Sequence, residues 1–194
     1  RVTGRVTGRV TGRVTGRFAI PLEDPVRDPA RDRHTPVAHR DAATHALAQQ
    51  GARVLCVDVE QDRADDIAAE VDGVGWAGDA TDRAGATAMF DTAHKQLGGL
   101  DGIVDIVGMA QYKSLLEVDD ENWQWHHDIV LRHAHLAVTL GGRAMADSGG
   151  GVMAFVASVS GISSAPLHGA YGVFKAGLMS LVREQFSLRI GAFA

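Results

Sequence analysis

Three side chains in the last quarter of the sequence have the types and the spacing of a general acid–base set. Ser158 follows an apolar run, Tyr171 comes thirteen residues later, and Lys175 stands four positions beyond the tyrosine. Tyr171 and Lys175 are therefore expected one turn apart on one face of a helix. A free phenol titrates near ~10, and an ammonium group within ~4–6 Å lowers that pKa. We predict that Tyr171 transfers a proton, Lys175 activates it and Ser158 holds a substrate oxygen; the alternative is an accidental pair on a solvated helix.

Further candidates stand directly after other apolar runs. Asp58 could accept hydrogen bonds from both ribose hydroxyls of an adenosine, and its charge would repel a 2′-phosphate. Asp79 and Ala80 could meet the edge of an adenine ring, and Gly108 would allow close backbone approach. Structural roles remain open for two of them, because Asp58 could be a solvated turn residue and Asp79 a helix N-cap.

Short apolar runs alternate with helix-favouring stretches from residue 41 onward. Strands are predicted at 53–57, 74–77, 102–107 and 151–157, and helices at 41–50, 61–71, 83–97, 119–146 (continuous or broken near its middle) and 170–183. Within the strand at 53–57, residues 54–57 are continuously apolar, as in a parallel sheet buried on both faces. This alternation predicts an α/β fold with a doubly wound parallel sheet, in which ligands bind at the carboxyl ends of the strands.

The first forty residues differ in composition from the rest. Residues 1–16 are four copies of Arg-Val-Thr-Gly, and residues 21–40 contain four of the five prolines. We expect 1–40 to be a low-complexity and irregular segment, because Pro21 and its neighbours disfavour a helix or a central strand. The repeat is interpreted as a frayed tail or a duplicated coding repeat, with a basic arm for an anionic partner as the alternative.

Composition excludes several classes of protein. The 194-residue chain suits one domain, and its net charge of −5 argues against a dedicated nucleic-acid binder. Cys56, the sole cysteine, excludes an intramolecular disulfide and a cysteine zinc site, and we expect it to be an inert core thiol. No metal is expected either, because the histidines of the long helix lack metal-ligand spacing. Without a membrane-length apolar run or a signal-peptide core, a cytoplasmic location is expected.

Residues 41–183 resemble the short-chain dehydrogenase/reductase family. Four stretches are similar to its motifs: 46–58 (ALAQQGARVLCVD), 78–82 (GDATD), 100–108 (LDGIVDIVG) and 155–161 (FVASVSG) with 171–175 (YGVFK). The resemblance implies a Rossmann-like oxidoreductase that transfers a hydride between NAD(H) and an alcohol or carbonyl substrate. It makes Tyr171 the acid/base and Ser158 the residue that orients the substrate oxygen. Lys175 would lower the tyrosine pKa and contact the nicotinamide ribose. The other cofactor-binding positions implied are Asp58, Asp79, Ala80 and Gly108.

The sequence also departs from the family pattern. Residues 16–20 (GRFAI) resemble the start of the family's first strand, but Pro21 follows where the pattern has Val-Thr-Gly. The three glycine positions of the family's phosphate-binding turn fall on His34, Ala38 and Arg40, where a backbone approach to a pyrophosphate is blocked. The family's Asn-Asn-Ala-Gly motif has become Asp-Ile-Val-Gly at 105–108, and its proton-relay asparagine aligns with Val130. The family's last crossover strand, Pro-Gly turn and substrate loop are missing. We therefore expect a partial domain over 41–194, incomplete at both ends.

Two functions follow, with one expectation about assembly. The first is the NAD-dependent enzyme, and the alternative is a non-catalytic or truncated relative that acts as a folded, oligomerising module. The side of 170–183 expected to be exposed includes Val173, Phe174, Leu178 and Leu181, and it is too apolar for a solvated helix. A homo-oligomer through the helices at 119–146 and 170–183 is therefore predicted.

Overall fold

A computed structural model describes residues 16–21 and 37–187. The strands are β1 (Arg17–Pro21), β2 (Arg53–Asp58), β3 (Val74–Ala77), β4 (Gly102–Asp105) and β5 (Val152–Phe155). The α-helices are α1 (Val37–Gln49), α2 (Gln61–Glu70), α3 (Arg83–Leu97), α4 (Asp120–His126), α5 (His133–Leu136), α6 (Gly142–Asp147) and α7 (Gly169–Ser187). Two π-helical segments, His127–Arg132 and Ala137–Gly141, join α4, α5 and α6 into one helical run. Short 3₁₀ turns cover Leu115–Glu117 and Val159–Gly161.

The five strands form one parallel sheet in the order β3-β2-β1-β4-β5. The strand order reverses at β1, so the carboxyl ends of β1 and β4 flank the point where such sheets bind their ligands. This confirms the predicted doubly wound, Rossmann-like α/β fold. The long helical stretch is also confirmed, and its helix widens into π turns instead of breaking.

Strand β1 lies at the centre of the sheet, as the likeness of residues 16–20 to the family's first strand implied. The irregular segment expected over 1–40 is wrong for β1 and also for residues 37–40, which begin α1. Pro21 is the last residue of β1 and pairs in register with Val57. A proline is tolerated there because a strand end loses only one ladder hydrogen bond. The amino end of β1 is fixed by Arg17, whose Nε and Nη2 donate to the two carboxylate oxygens of Asp101 at 2.7 and 2.8 Å. The four-residue repeat up to residue 15 and the proline-rich segment at 22–36 lie outside the described residues.

Alternate residues of the central strands face two separate apolar layers. Ala19 and Leu55 pack among α3 and the helical run, whereas Ile20 and Cys56 pack against α2. This alternation is the period of a strand buried on both faces. Cys56 is fully buried, as the sequence predicted, and burial raises the pKa of its thiol to about 12.

Helix α7 packs on the π-helical segment at 127–132, and this corrects the apolar face predicted for it. Phe174 and Leu178 are buried, while Leu181 is half-buried and Val173 is 46% exposed. Phe174 points inward because its ring meets the indole of Trp123 edge-on, with the ring centres 4.8 Å apart. Within the described residues, no helix is long and apolar enough to cross a membrane.

Candidate active site

Lys175 and Tyr171 lie on the first turns of α7, beside the carboxyl end of β5. The ammonium Nζ of Lys175 donates to the Val156 carbonyl at 2.8 Å and lies 5.8 Å from the centre of the Tyr171 ring. Only 2% of the lysine is exposed. Burial lowers the pKa of Lys175, and the charge of Asp105 opposes that shift. The structure thus joins the tyrosine and the lysine as their spacing predicted.

The phenol of Tyr171 is half-buried, and this burial dominates its acidity. Burial raises the pKa of Tyr171 above its ordinary value, whereas hydrogen bonding to Ser158 lowers it. The sign is opposite to the lowering expected from Lys175. The physical reason is that desolvation of the phenolate is the largest influence on this pKa, and the nearby phenol of Tyr112 raises it further.

Ser158 begins a hydrogen-bonded chain that the sequence reasoning missed. Its side chain caps the 3₁₀ turn by accepting from the Ser160 N–H at 3.2 Å, and its hydroxyl donates to Ser160 Oγ at 3.1 Å. Ser160 Oγ in turn lies 2.6 Å from Nδ1 of His168. The sequence offered one indication of this chain, the closeness of its members to the predicted residues. Ser160 stands two residues after Ser158, and His168 stands three before Tyr171.

Gly108 lies where the chain leaves β4 and passes against Lys175. Its φ of +150° is a conformation that favours glycine, and a Cβ there would stand 2.8 Å from the lysine Nζ. The predicted close backbone approach at Gly108 is therefore present, and the group that it meets is the lysine.

Asp105, at the end of β4, forms a buried pair with His133. Its Oδ1 accepts from the Val107 N–H and lies 3.1 Å from His133 Nε2, and both side chains are at most 3% exposed. A carboxylate in an apolar strand needs such a partner, since an unpaired buried charge is costly. The sequence marked Asp105 only as a departure from the family motif.

The other predicted residues follow β2 and β3. Asp58 is fully buried and its Oδ1 accepts from the Glu60 N–H at 3.1 Å, so it is not a solvated turn residue. Asp79 is exposed, and its Oδ1 accepts from the N–H and the hydroxyl of Thr81 at 2.7 and 2.6 Å. Ala80 is buried beside it. These residues share the carboxyl edge of the sheet with the Tyr171 group, at its opposite end.

His126 fills the wall behind Tyr171. Its Nε2 accepts from the Gln111 N–H at 3.1 Å, so Nδ1 donates to the Asn122 carbonyl at 2.8 Å. Burial lowers the pKa of His126, which favours this neutral form. In the described part of the chain, no three metal-ligating side chains cluster.

Comparison with known proteins defines the class to which this fold and site belong. Residues 41–185 match a family of the short-chain dehydrogenases described as enoyl-(acyl carrier protein) reductase. The chain is 28% identical to D-threitol dehydrogenase of Mycolicibacterium smegmatis over 72% of its own length and 56% of the relative. It is also 28% identical to the inactive 2-(S)-hydroxypropyl-CoM dehydrogenase 2 of Xanthobacter autotrophicus, over 72% of its length and 61% of the relative.

A solved structure of 7α-hydroxysteroid dehydrogenase, complexed with NADH and 7-oxo glycochenodeoxycholic acid, has the same fold. It aligns with a TM-score of 0.75 at 22% identity, over 92% of this chain and 67% of that one. The protein belongs to the short-chain dehydrogenase/reductase family, as the motifs predicted, and it spans little more than half the length of the curated relatives described above.

Proposed function

We propose that this protein is an oxidoreductase that transfers a hydride between NAD(H) and an alcohol or carbonyl compound, with Tyr171 as the acid/base. The observation that carries the proposal is the convergence of Ser158, Tyr171 and Lys175 at the carboxyl edge of the sheet. The lysine ammonium lies over the phenol ring, 5.8 Å from its centre, and hydrogen bonding to Ser158 lowers the pKa of the phenol. Family membership supports the same reaction class.

Two features of the strand ends support a nicotinamide cofactor. Asp58 is a buried carboxylate at the end of β2, which suits the ribose hydroxyls of an adenosine, with Asp79 and Ala80 beside it. Gly108 leaves the surface above Lys175 without a side chain, which suits the nicotinamide ribose. When bound, the nicotinamide ring supplies or accepts the hydride. Of the three positions that would meet the pyrophosphate, His34 lies outside the described residues, whereas Ala38 and Arg40 lie in the first turn of α1.

The protein's own side chains carry out the proton transfer that accompanies the hydride transfer. In the direction of reduction, the Tyr171 hydroxyl gives its proton to the substrate oxygen as that oxygen gains negative charge, and the O–H bond of the phenol becomes the O–H bond of the product alcohol. Ser158 orients the same oxygen by hydrogen bonding. The Lys175 ammonium stabilises the phenolate that remains. The raised pKa of Tyr171 keeps the phenol protonated at neutral pH, which suits reduction.

Turnover of secondary alcohols with NAD⁺ tests this proposal in a matched pair of variants. The chain has two tyrosines, so Tyr112→Phe removes the other phenol and serves as the control. We expect Tyr171→Phe to lose at least about a hundredfold in turnover, the usual contribution of a positioned acid/base. Equal turnover in both variants would contradict the assignment.

A second candidate function is a non-catalytic relative that keeps the folded body of the domain. It is favoured by Val130, an aliphatic residue where the family pattern has its relay asparagine, and by the likeness to a relative named as inactive. Binding of NADH separates the two candidates, because the non-catalytic module needs no cofactor.

The assembly and the location stay predictions. We propose a homo-oligomer in which the helical run at 119–146 and helix α7 meet a second copy, supported by the exposure of Val173 beside a half-buried Leu181. Sedimentation of the folded protein as a 20.5 kDa species alone would contradict it. A small-molecule alcohol or ketone partner and a cytoplasmic location are expected, with no nucleic acid and no membrane involved.

A further inference from the structure

A continuous line of hydroxyl groups leads from the phenol of Tyr171 to an imidazole. Ser158 donates to Ser160 at 3.1 Å, and hydrogen bonding to Ser158 lowers the pKa of Tyr171. Ser160 Oγ lies 2.6 Å from His168 Nδ1, which is a short distance for an oxygen–nitrogen hydrogen bond. A hydroxyl group can rotate, so Ser158 can donate to Ser160 or turn to donate toward Tyr171, and each group in the line can pass one proton onward.

The line is held in place by close packing against α7. Ser160 is only 9% exposed, and the next residue, Gly161, runs so close to α7 that a Cβ would stand 2.8 Å from the Lys175 carbonyl carbon and the Ala176 nitrogen. A Cβ on Gly172 would likewise come within 3.0 Å of the Ser160 carbonyl oxygen. The two glycines thus allow the 3₁₀ turn to approach the helix that carries the phenol.

His168 forms the outer end of the line. Its imidazole is half-buried and borders an open groove that Ser114 and Leu167 also line. Within the described residues, Ser160 is the ring's hydrogen-bonding partner, and the rings of Tyr112 and Tyr171 stand 5.2 and 6.2 Å from it, centre to centre. Lys113 is joined to His168 through a backbone bridge.

We propose that Ser158, Ser160 and His168 form a proton relay that connects Tyr171 with solvent. The inference rests on the proposed acid/base role of Tyr171 and adds the route by which its proton is replaced. The alternative route along the helical run is closed at Val130, which is fully buried and has no group that can carry a proton. Imidazole suits the outer end because its two ring nitrogens can take up a proton on one side and pass one on from the other.

Each step conserves protons. After the phenol has protonated the substrate oxygen, the phenolate takes the proton of the Ser158 hydroxyl. Ser158 then takes the proton of the Ser160 hydroxyl. Ser160 then takes a proton from Nδ1 of the His168 imidazolium, leaving a neutral ring. Solvent water reprotonates the imidazole, and the three hydroxyl groups are restored. Alcohol oxidation runs the same transfers in reverse and delivers the substrate proton to solvent.

The first test needs neither substrate nor cofactor. In a Tyr112→Phe background Tyr171 is the sole tyrosine, so an isotope label at its ring Cζ reports the phenolate fraction by NMR. The fraction is compared at the highest pH at which circular dichroism still shows a native fold. Adding Ser160→Ala is expected to lower the phenolate fraction about threefold. When Ser158 donates to the phenolate, Ser160 can donate to Ser158, and alanine removes that second hydrogen bond. Adding Ser160→Thr, which keeps the hydroxyl, is expected to leave the phenolate fraction unchanged.

An unchanged phenolate fraction in the folded Ser160→Ala protein would overturn the relay, whether or not the chain has activity. If that variant does not fold, His168→Ala takes its place with the same expected loss, because Ser160 then lacks its partner. An unchanged fraction in folded His168→Ala would overturn the relay in the same way.

The second test addresses proton transfer itself. In turnover with NAD⁺, His168→Ala is expected to lose about tenfold or more, and added imidazole is expected to restore most of that loss. Tyr171→Phe should not respond to imidazole, because its loss lies at the reacting oxygen. Loss without rescue would assign His168 a structural role and overturn the relay. If the unaltered protein turns over no alcohol, the proposed function fails, while the phenolate measurement still decides the relay.

Discussion

Replacing Gly108 with alanine is expected to damage both stability and the site. Its φ of +150° costs a side chain about 1–3 kcal/mol of backbone strain. The new Cβ would stand 2.8 Å from Lys175 Nζ, so the ammonium must move away from the Val156 carbonyl, which it now meets at 2.8 Å. Loss of that charged hydrogen bond costs about 1.5–3 kcal/mol. The free energy of unfolding should therefore fall by about 2.5–6 kcal/mol in all.

Gly149 offers a matched control for this prediction. Its φ is +100°, and a Cβ there would meet nothing within 4 Å, so Gly149→Ala carries the strain without the collision. In urea unfolding followed by tryptophan fluorescence, the free energy of unfolding of Gly108→Ala should be about 1.5–3 kcal/mol lower than that of Gly149→Ala. Turnover should survive at Gly149→Ala and fall at Gly108→Ala. Equal losses of stability in the two variants, or full turnover in Gly108→Ala, would refute the reasoning.

Four further outcomes are expected. Because the pKa of Tyr171 is raised, alcohol oxidation should keep rising with pH past the ordinary phenol value of about 10, and a plateau below that value would count against the phenolate as base. Asp58→Ser should remove most of the preference for NAD over NADP in measured efficiencies, whereas an NADP preference in the unaltered protein would show that Asp58 does not face the ribose. Cys56, with its thiol pKa raised to about 12, should resist iodoacetamide until urea unfolds the protein, and rapid native labelling would contradict its burial. Hydrogen bonding to Arg17 lowers the pKa of Asp101, so its stabilisation is present above the ordinary carboxyl range and lost as pH falls through the lowered value. The stability gap between the unaltered protein and Asp101→Asn should then close only when the pH falls below the ordinary Asp pKa of about 3.9, and a gap independent of pH would be evidence against the pair.

The strands and helices beyond residue 41 could be predicted because burial on both faces leaves a plain pattern. The run at 54–57 is continuously apolar, and the structure places it in β2, where every residue from Val54 onward is buried. The predicted strands at 102–107 and 151–157 proved two residues too long at their carboxyl ends. At these ends the chain leaves the sheet and forms the candidate site. The residues there are still apolar, but they lie beyond the last residues that pair with a neighbouring strand, so an apolar run predicts too long a strand.

The central position of β1 could not be predicted from local composition. Its five residues stand between a repeat and a proline-rich segment, and what defines the strand is pairing with β2 and β4 far along the chain. Pro21 argued against a central strand because its position at the strand end was unknown.

The core of the candidate site was predictable, whereas its surroundings were not. Helical spacing alone joined Tyr171 to Lys175. The contact of Ser160 with His168 depends on loop geometry, including the positive φ of 64° at Leu167, which no sequence pattern indicated. The raised pKa of Tyr171 likewise depends on burial, a property of the folded chain.

Calorimetric titration of the full chain with NADH tests the central claim most directly. The fold, the buried Asp58 and the open backbone at Gly108 predict saturable binding of one NADH per chain in the micromolar range. Asp58→Ser serves as the control and should bind more weakly through loss of the ribose contacts. Absence of any binding heat at millimolar NADH, in a protein shown to be folded, would contradict the oxidoreductase and leave the non-catalytic module.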